Sequence, residues 1–102
     1  MNDSEVLSHL RLDQNYPNPM QSTRRTRITY EVPSQATEVD LSIYGVDGRK
    51  IRTLVHGATG SGVRETVWDG KDDEGVPVPS GMYWYRLHVG KAEISRKVVL
   101  LN

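Results

Sequence analysis

Apolar and polar residues alternate with a period of two along most of this chain, the pattern of strands that bury one face and expose the other. It is clearest over residues 26–32, where Ile28, Tyr30 and Val32 share one side and Arg27, Thr29 and Glu31 the other. Residues 37–44 repeat it with Val39, Leu41 and Ile43 inward, and residues 82–89 with Tyr83, Tyr85, Leu87 and Val89. An earlier edge strand is expected around Leu10, Leu12 and Tyr16, ended by the prolines of Pro17-Asn18-Pro19, each of which removes a ladder donor. Asp47-Gly48 between two alternating runs predicts a hairpin. The strand after it, residues 50–55, alternates imperfectly: Ile51, Thr53 and Val55 share a face that Leu54 does not, which predicts a bulge or a sheet crossing. The glycines of residues 57–62 predict a loop, and residues 63–68 a strand with Trp68 on its buried side. A final strand over residues 93–101 ends Val98-Val99-Leu100-Leu101.

About seven antiparallel strands spaced roughly ten residues apart, with no helical period, predict an all-β fold, an immunoglobulin-like β-sandwich. Its core would hold Ile28, Tyr30, Val32, Val39, Leu41, Ile43, Tyr83, Tyr85 and Leu87. Residues 10–102 form the domain, and residues 1–9, which carry no pattern, read as a lead-in or linker. At 102 residues one domain is expected.

Composition narrows the chemistry. Lys and Arg total 13 and Asp and Glu total 13, so no basic footprint for nucleic acid is implied. The absence of cysteine removes disulfides, thiolate metal sites and thiol nucleophiles. No apolar run approaches the roughly 18 residues of a membrane span. His9, His56 and His88 have no spacing that converges on a metal, and no nucleophile elbow accompanies them; catalysis and cofactors are not expected. The acidic run holding Asp69, Asp72 and Asp73 offers oxygens to a cation, but its spacing does not match a calcium loop and Lys71 interrupts it, so it reads as turn chemistry first and a cation loop second. Arg24, Arg25, Arg27, Arg64, Arg86 and Arg96 read as a solvated strand face, with a patch for anionic polysaccharide as the alternative. Trp84 and Met82 fall on the outer face of their strand, where they either stack on a ligand or are covered by a loop.

Several motifs occur in order: L-D-Q-N-Y-P-N-P at residues 12–19, I-T-Y-E-V-P at 28–33, L-S-I-Y-G-V-D-G-R-K-I at 41–51, V-W-D-G-K-D-D-E-G-V-P-V-P-S-G-M-Y-W-Y-R-L at 67–87, and the tail R-K-V-V-L-L-N. The ordered set resembles the C-terminal secretion and sorting domains of type IX secretion substrates. It is also similar to the Ig-like domain of the flagellar hook-capping protein, which shares the W-D-G-x-D-x-x-G and S-G-x-Y motifs. The resemblance implies a non-catalytic domain that directs secretion and cell-surface attachment of a larger exported bacterial protein. Its partners would be the outer-membrane secretion apparatus and an upstream cargo domain in the same parent chain. The sorting signal would be Lys97, Val98, Val99, Leu100, Leu101 and Asn102, with the apolar residues holding the last strand in the sheet. Met20-Gln21-Ser22 depart from the Phe and Asn-Pro that family usually carries after its first Asn-Pro, and Asn102 replaces its frequent final Lys. The alternatives are a carbohydrate-binding or adhesive module, using Trp84, Tyr44 or the arginines on cell-surface polysaccharide, and a hook-cap-like structural domain.

Overall fold

The computed structural model describes residues 10–21, 25–33 and 36–101. The lead-in at 1–9 and the terminal Asn102 lie outside the described residues. Eight strands form two sheets: β1 (Arg11–Leu12), β2 (Met20–Gln21), β3 (Thr26–Val32), β4 (Ala36–Tyr44), β5 (Lys50–Thr59), β6 (Gly62–Trp68), β7 (Gly81–Val89) and β8 (Ala92–Leu101). A three-stranded sheet runs β1-β3-β6, and a five-stranded sheet runs β2-β8-β7-β4-β5. The expected immunoglobulin-like sandwich is present.

The period of two placed the inner faces correctly. Ile28, Tyr30, Val32, Val39, Leu41, Ile43, Tyr83, Tyr85, Leu87 and Val89 are all buried, and Trp68 is fully so. Leu12, Met20, Val98 and Leu100 complete the same core. The bulge on β5 is also present: Leu41 pairs with Val55 but Ser42 with Thr53, so Leu54 is the extra residue, and a second shift leaves out Ile51.

Four expectations need correction. The described residues form eight strands, and these are not all antiparallel, because β2 runs parallel to β8. Only Leu10 and Leu12 of the first edge face the core; Tyr16 is 72% exposed. Its backbone instead exchanges hydrogen bonds with Arg27 in an isolated bridge. Residues 57–59 belong to β5 rather than to a loop. Gly57 pairs with Val39 at a φ of +119°, a conformation a side chain would resist, so this glycine keeps the strand going where composition suggested a break. Finally, the terminal apolar run is divided by the pleat. Val98 and Leu100 are buried, while Val99 is half-buried and Leu101 is 44% exposed.

Candidate functional site

The candidate site is the last strand and what lies against it. β8 pairs along its length with β7, from Val89↔Ala92 to Gly81↔Leu100. Its other side is covered, over the tail, by the segment 13–21, which crosses from the three-stranded sheet at β1 to the five-stranded sheet at β2. Two side-chain amides, a short backbone pairing and one arginine tie the strap to β8. Gln14 Nε2 donates to Lys97 O at 2.7 Å, and Val99 N donates to Asn18 Oδ1 at 3.1 Å. Met20 and Gln21 then pair with Leu100 and Leu101, and Arg96 Nε donates to Leu12 O. A sheet edge that would otherwise offer unpaired donors and acceptors is thereby closed.

The strap is held from inside the sandwich. The Tyr85 hydroxyl donates to Asp13 O at 2.7 Å and accepts from Asn15 N at 2.9 Å. Asn15 is itself buried, and its Nδ2 donates to Thr26 Oγ1 and to Pro17 O. Thr26 Oγ1 donates to Pro17 O in turn. No buried side-chain polar atom lacks a partner among the described residues. Burial in this apolar setting pushes the Tyr85 hydroxyl up to about 12. The strap carries the Y-P-N-P motif with cis peptides at Tyr16-Pro17 and Asn18-Pro19. Sequence reasoning took these prolines as the end of a strand; the docking shows only in the burial of Asn15 and Met20, which no local pattern marks.

The pleat sorts the tail. Lys97, Val99 and Leu101 project from the outer face of the five-stranded sheet, beside Trp84 and Met82. Lys97 Nζ sits 5.9 Å from the centre of the Trp84 ring, and the Arg86 guanidinium carbon 4.7 Å from that of Tyr44. Trp84 is thus half-buried under a cation, and Met82 is 41% exposed. Further along the same face, His56 lies against Asp40, and His88 against Glu93.

The acidic residues serve a different structure. Trp68 Nε1 donates to Lys71 O, and the Trp68 ring meets Tyr83 edge-on at 5.7 Å. The Tyr83 hydroxyl donates to Pro79 O. Both aromatics therefore pin the loop 69–80. Within it Asp69 Oδ1 accepts from Lys71 N, and Asp72 Oδ1 accepts from Glu74 N and Val76 N. Asp73 N donates to Ile51 O while its Oδ1 accepts from Thr53 N, so the loop also covers part of the β5 edge. The cation among these acids is Arg52. Its Nη1 reaches Asp69 Oδ1, Lys71 O and Asp72 O at 3.1 to 3.3 Å. Nothing in the sequence marked Arg52, because it reaches this loop through the fold. Gly70, at a φ of +78°, brings the backbone down onto Met20 and Leu100.

Other residues singled out in the sequence are not brought together. Arg27 and Arg64 lie on the three-stranded sheet, and Arg86 and Arg96 on the five-stranded one; His9 and Arg24 are outside the described residues. Among the described residues, no group of three or more His, Asp or Glu side chains forms a metal-binding cluster, and no helix is long and apolar enough to cross a membrane.

Fold and site together define an immunoglobulin-like β-sandwich module whose last strand is strapped into the sheet. The family model for the FlgD Ig-like domain matches residues 14–93, and the chain belongs to that family. It is 39% identical over 61 residues to the basal-body rod modification protein FlgD of Salmonella typhimurium, a match that covers 60% of this chain and 26% of that protein. The chain thus spans about a quarter of the length of this relative. Two solved structures from Porphyromonas gingivalis share the fold. Latent PorU, described as dimeric, matches at a TM-score of 0.67 and 21% identity, over 91% of this chain and 9% of PorU. PorZ, an essential bacterial surface component of the type IX secretion system, matches at 0.59 and 18%, over 99% and 12%.

Proposed function

We propose that this module is the non-catalytic sorting and surface-attachment domain of a larger exported protein, recognised through the outward residues of its last strand. The observation that carries the reading is the division of the tail. Val98 and Leu100 anchor β8 in the core, which leaves Lys97, Val99 and Leu101 presented in a fixed row beside Trp84 and Met82. A signal displayed on a rigid strand loses less conformational entropy on recognition than one on a free tail. The strap residues Gln14 and Asn18 hold the backbone of that row in register. The sandwich shared with PorZ is consistent with a place at the bacterial surface.

The test is a secreted reporter fused to residues 1–102 in a host with a type IX apparatus. Replacing Lys97, Val99 and Leu101 with Glu, Asp and Asp is expected to block export while the purified fusion keeps its melting temperature. Undiminished export of that variant would refute the reading. A second reading, a structural domain of a hook-cap-like protein, is favoured by the family match and the 39% identity to FlgD. It predicts instead that the parent protein restores hook assembly in a strain lacking its hook-capping protein.

A further inference from the structure

A groove of about 780 Å³ opens at the end of the sandwich where β7 begins, between the β4–β5 hairpin and the loop 69–80. Its floor is apolar, with Ile51, Pro79 and Tyr83, and at its mouth Val46 is 70% exposed and Met82 41%. Its two rims carry opposite charge. One is the acidic turn of Asp72, Asp73 and Glu74; the other holds Arg49 and Lys50, with Asp47 beside them. Within the molecule these charges are unequally satisfied. Arg52 partly neutralises the acidic turn from behind, Lys50 lies 3.8 Å from Asp40, and Asp47 uses one oxygen to accept from Arg49 N. The Glu74 carboxylate and the Arg49 guanidinium have no side-chain partner among the described residues.

We propose that this groove is a self-complementary interface at which two copies of the chain pair about a two-fold axis. A two-fold contact places the same patch on both partners, so it needs a surface that complements itself when rotated. An apolar centre flanked by one acidic and one basic rim meets that condition. The rotation sets Glu74 of each copy against Arg49 of the other, and brings Val46 and Met82 of both together at the middle. A chain with no formal net charge meets no long-range repulsion from its own copy. The interface shares Met82 with the face invoked for sorting, but Glu74, Arg49 and Val46, the residues varied in its test, lie outside that row.

Sedimentation equilibrium on the 102-residue chain tests the proposal. The wild type is expected to dimerise with concentration, and more weakly as salt rises. Glu74→Lys and Arg49→Glu should each weaken dimerisation on the order of tenfold, because each turns both symmetry-related contacts repulsive. An equimolar mixture of the two variants, and the double variant Glu74→Lys/Arg49→Glu, should regain it. Val46→Asp, at an exposed position, should abolish dimerisation with the melting temperature retained. A wild type that stays monomeric to millimolar concentration overturns the proposal and leaves the groove to a different partner. Failure of the mixture and the double variant to recover overturns it equally.

Discussion

Replacing Tyr85 with Phe isolates one atom on which the strap depends. The ring stays, so the core keeps its volume, and only the hydroxyl is lost. Asn15 N and Asp13 O then lose their partner beneath the strap, where Asn15 is 2% exposed. An orphaned buried donor or acceptor costs about 1–3 kcal/mol. Asp13 lies nearer the rim and its carbonyl can recover part of that from water, so the expected total is about 2–3 kcal/mol. In urea, with a slope of about 1–2 kcal/mol per molar for a domain of this size, the midpoint should fall by roughly 1–3 M with the slope unchanged. Amide exchange should localise the loss: protection falls at Asn15 and Val99, while the β4–β7 ladder keeps its relative order. The pH dependence supplies an independent check. Burial raises the Tyr85 pKa from 10.0 to about 12, so the folded state holds this proton more tightly than the unfolded chain does. The wild type therefore keeps this contribution below about pH 10 and loses roughly 2–3 kcal/mol between pH 10 and 12 as the unfolded chain ionises first. Tyr30 and Tyr83, also raised by burial, add to the alkaline loss in both proteins. The difference between wild type and variant should narrow over that window. A variant within 0.5 kcal/mol of wild type at pH 7, with strap exchange unchanged, would refute this account of the strap.

Two further outcomes are expected. Leu100→Ala should cost about 2–5 kcal/mol because its side chain is fully buried, whereas Leu101→Ala, 44% exposed, should stay within about 0.5 kcal/mol; thermal melts of the pair measure how the pleat divides the tail. Arg52→Gln should destabilise the loop 69–80 by about 1–2 kcal/mol, read as a lower melting temperature and faster amide exchange at Glu74 and Val76, while calcium leaves the wild-type melting temperature unchanged because Arg52 already serves these oxygens.

Much of the fold was legible because strands declare themselves locally. A strand half-buried in a two-layer sandwich must alternate, so β3, β4 and β7 could be assigned face by face from Ile28, Leu41 or Leu87 alone. The mismatched face at Leu54 marked the β5 bulge for the same reason. Short strands carry no such record. Two residues, Met20 and Gln21, contain no period, and the prolines before them read as a terminator. Gly57 misled in the opposite direction, since composition cannot tell a glycine that ends a strand from one that lets a strand pass through an unusual φ. The candidate site was legible as a tail but not as a surface: Val98, Val99, Leu100 and Leu101 are chemically alike, and their division into anchors and displayed residues follows from register against β7.

The sequence by itself determined the all-β class, the inner faces of the long strands, the hairpin at Asp47-Gly48 and the burial of Trp68, because each of these follows from neighbours within a few residues. Only the tertiary structure decided the parallel pairing of β2 with β8, the grip of Tyr85 on the strap and the insertion of Arg52 among the acids of the loop 69–80. Those contacts join residues far apart in the chain: 70 positions separate Asn15 from Tyr85 and 17 separate Arg52 from Asp69. Their geometry comes from the packing of two sheets, and no local pattern of polar and apolar residues encodes it.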